Sequence, residues 1–386
     1  MPNENYSAMI ADLERDARDN PQWYRFRVVC LVGLAYIYIG VVLVSGLALL
    51  GGTVYGIWWL FAHAHVHFQM LRIAIPVVIG LLVFCFAILR ALWVTIEEPD
   101  GRVLAREEAL PLFQEIDRLR GLLKTPQFDK VILSHHFNAA VCQVPRLGLF
   151  GWNKNILMVG VPLMLTLSPD QFRAVLAHEM GHIAGDDSKF QHGVYRLNDT
   201  WRLLLDGIAE ENAAANILFV PFFEWYIPFF YAYTLALRRA DEYAADKAAA
   251  RTVGAEKIAD ALITLELFGR RMLAGQKNES QGPEAEQKWL ADALAENDDL
   301  GRDHPCLRNR LRGVGQINRS VPEPVDQSAA EKYFDYRMIK LAESVGVIIR
   351  PVSESPQPQP APSSSGRPAP AESPSMPTLQ PMGWNG

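Results

Sequence analysis

The feature that most constrains the fold of this chain is a run of 23 residues without a charged side chain, Val28–Leu50. As a helix, a run of this length spans the roughly 30 Å hydrocarbon core of a bilayer. A second apolar run, Ile73–Ile96, is interrupted only by Arg90 near its end, where an arginine side chain can reach the interface. Tryptophans near the ends of the runs resemble the aromatic belts of membrane proteins: Trp58, Trp59 and Trp93. We therefore predict two membrane spans, about 28–50 and 73–96, forming a transmembrane hairpin, in preference to two buried core helices.

Arginines predict the orientation of this hairpin. The first run is preceded by Arg15, Arg18, Arg25 and Arg27, and the second run is ended or followed by Arg90, Arg102 and Arg106. The loop between the two runs contains one arginine, Arg72. By the positive-inside rule, the N-terminal segment 1–27 and everything after residue 97 then face the cytoplasm. The loop also carries three alternating histidines, His63, His65 and His67. The sequence near them contains no acidic or cysteine partner, so we expect a solvated interfacial loop rather than a metal site.

The rest of the chain divides by composition into a globular region, 97–350, and a tail, 351–386. Short segments of strand character and a region of helical periodicity at 105–123 predict an α+β domain. The proline and serine content of the tail predicts disorder. A net charge of −6 without a basic stripe argues against a nucleic-acid partner. The four cysteines are isolated, so they form neither a disulfide framework nor a four-cysteine metal site.

The segment His178-Glu179-Met180-Gly181-His182 carries the main evidence for function. The preceding Ser168-Pro169-Asp170 is a typical helix start, which places the motif on a capped helix. Histidines four residues apart share one helix face and can bind one metal ion. Zinc suits such ligands and keeps one position open for water. Glu179 lies about 100° round the helix, where it can act as the general base; the alternative is a helix with two solvated histidines.

A catalytic zinc needs a third protein ligand, and a later segment of strong helix propensity, 238–246, offers one. Glu242 and Asp246 are four residues apart and share a helix face. We expect Glu242 to bind the metal and Asp246 to accept the second ring N–H of a ligand histidine.

The apolar stretch 217–237 is long enough to resemble a third membrane span. One crossing here would place the two histidines and Glu242 on opposite sides of the membrane, which the metal site forbids. Pro221, Glu224 and Pro228 further weaken a simple span. We therefore expect a broken helical segment that packs on the domain or enters the near leaflet.

The two motifs together resemble the HtpX-like and CAAX-prenyl-protease family of membrane-associated gluzincin metallopeptidases. The resemblance covers roughly residues 100–320 and implies a mostly helical zincin-type domain with a small sheet, one Zn²⁺ per chain, and His178, His182 and Glu242 as its ligands. The segment Phe137-Asn138-Ala139-Ala140 is similar to the stretch of the family at which substrate backbone adds as a strand. His304-Pro305 with Arg310-Leu311 resembles a further family segment, which implies that His304 stabilises the oxyanion or caps the zinc; the alternative is a surface loop histidine.

The expected function is that of a zinc metalloendopeptidase of the membrane, cleaving protein substrates in quality control, in the bacterial inner membrane with its catalytic domain in the cytoplasm. The expected partners are protein substrates and the lipid bilayer. One alternative is a prenyl-protein processing protease, whose relatives have many more spans than two. Another is a membrane-tethered binding or sensor protein with a structural zinc site, against which Glu179 argues, because a structural site needs no base.

Overall fold

Helices dominate the chain, and one small mixed sheet lies beside the helix that carries the two histidines. The computed structural model describes residues 4–63, 71–91, 98–145, 153–184, 194, 197, 213–277, 281–298 and 304–348. The strands are β1 (Arg102–Val103), β2 (Lys130–Ser134), β3 (Ala139–Pro145) and β4 (Asn153–Gly160). The helices are α1 (Glu4–Asp19), α2 (Pro21–His63), α3 (Leu71–Ala91), α4 (Leu110–Leu123), α5 (Val161–Thr166), α6 (Pro169–Gly181), α7 (Ala213–Val253), α8 (Ala255–Gln276), α9 (Pro283–Ala295), α10 (Leu307–Gly313), α11 (Ala329–Phe334) and α12 (Met338–Glu343). The predicted α+β class is confirmed.

The sheet has the strand order β1-β2-β4-β3. β2 and β4 are parallel, with Lys130 opposite Ile156. β3 is antiparallel to β4, with Ala139 opposite Val159. β3 therefore forms an edge of the sheet, and its outer row of backbone N–H and C=O groups faces away from β4.

Helix α6 begins where the sequence predicts. Ser168 is its N-cap: the Ser168 hydroxyl accepts a hydrogen bond from the Gln171 backbone N–H at 3.3 Å, and the Gln171 side chain accepts one from the Ser168 N–H at 2.9 Å. This reciprocal capping box satisfies two N–H groups that the helix itself leaves unpaired. The helix ends at Gly181, and His182 is its C-cap with φ −62° and ψ −22°, so both histidines keep helical geometry.

The main core lies between the sheet, α4, α6 and α8, where Phe172 and Leu176 of α6 are fully buried. Helix α6 also packs closely on α7. A Cβ atom on Gly181 would lie 3.1 Å from the Ala245 Cα and 3.3 Å from its Cβ. The missing side chain of Gly181 therefore allows the two helices to approach, and this approach brings the histidine motif to the segment that carries Glu242.

A second apolar cluster joins α1 and α2 to the first half of α7. It buries Ile10 and Leu13 of α1, Tyr24 and Val28 of α2, and a row of aromatic side chains of α7: Phe219, Phe223, Tyr226 and Phe230. The Tyr24 hydroxyl donates to the Tyr233 carbonyl at 2.6 Å, and the Tyr226 hydroxyl donates to the Leu31 carbonyl at 2.9 Å. α2 and α7 therefore run antiparallel, side by side.

The prediction of a broken segment at 217–237 is wrong, because α7 is one continuous helix of 41 residues with Pro221 and Pro228 inside it. A proline inside a helix costs about 3 kcal/mol or more. Both prolines lie on the exposed side of α7, so their rings do not disturb its packed face. The aromatic packing against α1 and α2 offsets the lost hydrogen bonds. This stretch packs on α1 and α2, which precede the globular region, whereas the expectation was packing on the domain or entry into the near leaflet.

Helix α2 is longer than the predicted span 28–50. It begins at Pro21 and ends at His63, about 65 Å at 1.5 Å per residue. Most of the expected connecting loop is therefore helical, because residues 51–63 are apolar and contain no proline. His63 is the last residue of the helix, whereas His65 and His67 lie outside the described residues.

By length and composition, α2 is the one helix among the described residues that could cross a membrane, and only 17% of its most apolar stretch is buried. A shorter apolar helical stretch, Arg72–Val83, lies in α3. α3 corresponds to the predicted second span, whose last residues 92–96 lie outside the described part, as does the tail 351–386. The two-span hairpin stays a prediction.

Gly160 provides a test of how the end of β4 is packed. A Cβ atom there would lie 1.9 Å from the His136 carbonyl oxygen and 2.7 Å from that of Asn138. We expect Gly160→Ala to destabilise the protein by more than about 2 kcal/mol, because backbone must move. Thermal unfolding in detergent measures this. The control is Gly269→Ala on α8, where nothing lies within 4 Å and alanine should be neutral or stabilise by about 0.5–1 kcal/mol. Equal melting temperatures for the two variants would contradict the packing described.

Candidate active site

Helix α6 presents His178 and His182 one turn apart on the same face. Their rings are nearly perpendicular, with an angle of 86° and centroids 4.7 Å apart. The two Nε2 atoms are 3.2 Å apart. His178 is buried, and His182 is partly exposed. Two imidazole nitrogens thus point at one position on the side of α6 that faces α7.

Glu242 of α7 completes the cluster. Its Oε2 atom lies 3.7 Å from His178 Nε2, and its Oε1 atom lies 3.5 Å from His182 Nε2. Among the described residues, these three are the group of His, Cys, Asp and Glu side chains that could hold a metal ion. With metal–ligand bonds of about 2.0–2.1 Å, neighbouring ligand atoms of a tetrahedral zinc site lie about 3.4 Å apart. The three observed separations fit a zinc ion.

Two aspartates of α7 orient the histidines. The Asp246 carboxylate lies 2.9 Å from His178 Nδ1, and the Asp241 carboxylate lies 2.9 Å from His182 Nδ1. A carboxylate on Nδ1 leaves Nε2 for a metal ion, as is usual for metal-binding histidines. The structure places Asp246 beside a histidine, where the sequence led us to expect it. Sequence reasoning missed Asp241, although its position directly before Glu242 was the available signal.

Arg310 of α10 is a second residue whose role sequence reasoning did not assign. Its guanidinium donates to both carboxylate oxygens of Asp246, at 2.9 and 2.6 Å, and lies 3.4 Å from Glu242 Oε2. Burial would raise the pKa of Asp246, but Arg310 outweighs it and lowers that pKa to about 2. Arg310 therefore keeps Asp246 charged and fixes it against His178.

His304 lies directly before α10. Its Nδ1 atom is 2.8 Å from Glu242 Oε2, and its side chain is 43% exposed. Burial would raise the pKa of Glu242, but Arg310 and His304 hold it well below its usual value. The structure thus brings His304, part of whose side chain is exposed, to a candidate metal ligand.

Glu179 is half-buried on α6, between the two histidines in sequence. Burial raises the pKa of the Cys142 thiol on β3, and the negative charge of Glu179 raises it further. Glu179 therefore lies close to β3 as well as to the histidine cluster. A substrate bound along β3 would therefore lie next to Glu179.

The predicted substrate-binding residues lie at the start of the edge strand. Ala139 and Ala140 are the first residues of β3, opposite Val159 and Met158 of β4. The Asn138 carbonyl accepts a hydrogen bond from the Gly160 N–H at 2.8 Å. Asn138, Ala139 and Ala140 are not part of the metal cluster; the structure places them on the sheet edge that packs beside α6.

A small mixed sheet beside a His-Glu-x-x-His helix, with a carboxylate from a later helix, is the arrangement of a zincin-type metallopeptidase. Residues 126–317 match the sequence model of Peptidase family M48, and the chain belongs to that family. This confirms the resemblance that the two motifs indicate.

Relatives with matching sequences carry protease names. Protease HtpX of Acinetobacter baylyi is 26% identical over 211 residues, which are 46% of this chain and 66% of the relative. The Protease HtpX homolog of Bacillus licheniformis is 26% identical over 235 residues, 58% of this chain and 74% of the relative. Protease HtpX of Ectopseudomonas mendocina is 44% identical over 57 residues, 12% of this chain and 20% of the relative. The matches thus span between a fifth and three quarters of these relatives.

Among solved structures, the crystal structure of S. mikatae Ste24p aligns with a TM-score of 0.30 and 16% identity, covering 74% of this chain and 67% of that chain. A likeness at this level carries no conclusion about the site.

The pKa of His182 predicts proton release on metal binding. Burial lowers this pKa, but the hydrogen bond with Asp241 and the charge of Glu242 outweigh burial and raise it to about 10. His182 is therefore protonated at pH 7 in the metal-free protein, and a metal ion must displace that proton. We expect Zn²⁺ binding to release about one proton per chain at pH 7, and the apparent Kd to fall about tenfold per pH unit between pH 6 and 9.

Titration calorimetry in buffers of different ionisation enthalpy measures this proton. Asp241→Asn should reduce the release, because His182 loses the partner that raises its pKa. Zinc binding without proton release by the unmodified chain would contradict the assignment of His182 as a ligand.

Proposed function

We propose that this chain is a zinc metalloendopeptidase anchored in a membrane by α2 and α3. The observation that carries the proposal is the spacing of the three candidate ligand atoms, 3.2, 3.5 and 3.7 Å, beside Glu179 in a region that belongs to Peptidase family M48. The surrounding charges support a cation here, since Glu179, Asp241, Glu242 and Asp246 outnumber Arg310.

When bound, a zinc ion supplies Lewis acidity that polarises a peptide carbonyl and makes water a stronger acid. Glu179 accepts the proton of the attacking water and returns it to the amine leaving group. Asp241, Asp246 and Arg310 hold the two imidazoles in place, so the ligand set needs little reorganisation. His304, partly exposed and 2.8 Å from Glu242, is placed to stabilise the negative charge that develops on the carbonyl oxygen.

The substrate class follows from the edge strand. Among the described residues, no strand pairs with the outer edge of β3 beside the site, so an extended segment of a protein can add there as a further strand. Backbone pairing recognises any extended chain, which favours endoproteolysis of unfolded or loosely structured segments. With α2 in the membrane and the flanking arginines on the cytoplasmic side, the site lies at the inner face of a bacterial membrane. Quality control of membrane proteins is the role that fits this location.

Glu179→Gln tests the assignment of the general base. The variant keeps the size and hydrogen-bonding capacity of the side chain but cannot accept a proton, so we expect casein hydrolysis by the detergent-purified protein to fall by about 10²–10⁴. Zinc content should stay at about one ion per chain. Glu323→Gln, an exposed loop position outside the site, is the matched control and should remain fully active.

The outcomes separate the enzyme from a binding protein. Activity that is lost with a chelator, returns with zinc and is absent from Glu179→Gln supports the proposal. A hydrolysis rate unchanged in Glu179→Gln would contradict the mechanism. Tight zinc binding and substrate binding without cleavage by the unmodified protein would establish the non-catalytic alternative.

A further inference from the structure

Arg239 connects the active-site helix to the N-terminal helix. It lies on α7, one turn before Glu242, and is buried. Its guanidinium forms an ion pair with the carboxylate of Glu14 on α1, which is itself only 24% exposed. Burial removes this guanidinium from water, so nearby opposite charges stabilise it. Docking of α1 therefore brings one carboxylate to a buried charge of α7.

Arg239 also acts on Asp298, which follows α9. Burial raises the pKa of Asp298, but its hydrogen bonds from Cys306 and Asn309 and the positive charge of Arg239 lower it. One Asp298 oxygen accepts from the Cys306 backbone N–H at 2.7 Å, and the other accepts from the Asn309 side chain at 2.8 Å. Asp298 thereby fixes the start of α10.

Two residues of the segment that Asp298 fixes, His304 and Arg310, contact the candidate metal site. The segment begins with His304, 2.8 Å from Glu242, and its helix carries Arg310, which pairs with Asp246. Tyr243 of α7 lies against this segment, because a Cβ on Gly313 would be 3.5 Å from the Tyr243 ring. Burial raises the pKa of Tyr243 to about 12, with contributions from Asp298 and Glu14. Buried Arg239 and the partly buried Glu14, Tyr243 and Asp298 thus interact electrostatically as one group.

Apolar contacts and a hydrogen bond, as well as the Glu14–Arg239 ion pair, hold α1 on α7. Ile10 and Leu13 are buried against α7, and the Tyr6 hydroxyl donates to the Pro228 carbonyl at 3.1 Å. At its other end, α1 is joined to α2 by the Arg27–Asp16 ion pair at 2.6 Å. The membrane anchor, α1 and Arg239 are therefore mechanically connected.

We propose that Glu14 and Arg239 are positioning residues: with α1 docked, they hold the segment 304–313, and with it His304 and Arg310, over the metal site. Docking of α1 through Glu14 then supports the active site from a distance, and displacing this helix from α7 lowers turnover while the metal stays bound. This inference rests on the proposed function for its kinetic readout, but its structural readout is independent of activity.

Hydrogen exchange of the full-length protein gives that structural readout. Glu14→Gln should increase exchange in the segment 304–313 by about tenfold or more while the segment 169–181 of α6 stays protected. Asp12→Asn is the matched control, because Asp12 lies on the exposed side of the same helix and pairs there with exposed Arg15. Unchanged exchange of 304–313 in Glu14→Gln overturns the proposal, whether or not the protein proves to be a peptidase.

Kinetics on casein then separate positioning from general damage. We expect Glu14→Gln to lower kcat about tenfold with KM changed less than threefold and zinc content unchanged, Glu14→Asp to recover part of kcat, and Asp12→Asn to match the unmodified chain. Parallel loss of zinc and of kcat would overturn the positioning role. If the unmodified chain cleaves nothing, the proposed function fails, and the exchange result still decides this inference.

Two further variants test the positioning role of Arg239. Asp298→Asn removes the carboxylate that holds the start of α10, and adding Glu14→Gln to it should lower kcat little further, since both changes release the segment 304–313. The charge-swapped pair Glu14→Arg with Arg239→Glu restores the ion pair to α1 but sets a negative charge beside Asp298. We expect its melting temperature to recover while exchange of 304–313 stays fast and kcat stays low. Full recovery of kcat in the swapped pair would show that Arg239 only holds α1 in place and does not position the segment 304–313. That result would overturn the proposal.

Discussion

The site depends on the close approach of two helices that are far apart in sequence. α6 carries both histidines and α7 carries Glu242, and they meet where Gly181 faces the backbone of Ala245 at a distance that leaves little room for a side chain. Any larger residue at Gly181 would separate the helices by a fraction of an ångström or more. Because metal coordination tolerates errors of only about 0.2 Å, the glycine within the histidine motif serves the geometry of the metal site although it binds nothing.

Around this contact the chain buries several charged groups, which requires that each be paired. Arg310 pairs with Asp246 and also lies near Glu242. Asp241 and Asp246 each lie beside one histidine. Apolar residues of similar volume would give a more stable core, so this set of buried charges is understood as a device for orienting imidazoles and attracting a cation. The same reasoning applies to Arg239 and Glu14, where a buried charge of α7 meets α1, the helix that leads into the long apolar helix α2.

Much of this could be predicted from the sequence, and the failures have physical reasons. The helix start at Ser168, the spacing of His178 and His182 and the later Glu242 are local patterns, so periodicity and side-chain chemistry were enough to predict them. Arg310 and Asp241 were missed as site residues because their roles depend on tertiary contacts that no spacing reveals. Pro221 and Pro228 were expected to break α7, but aromatic packing across α1 and α2 outweighs the local cost of each proline. The docking of α1 on α7 was not anticipated, since a short polar segment gives no sign of its partner.

Zinc X-ray absorption spectroscopy of the purified chain decides whether His178, His182 and Glu242 together bind one zinc ion. We expect one zinc per chain with two imidazole nitrogens and oxygen ligands at about 2.0–2.2 Å, and a change of this spectrum when Glu242 is replaced by glutamine. A sulfur ligand at about 2.3 Å, or a spectrum that is the same with and without Glu242, would contradict it.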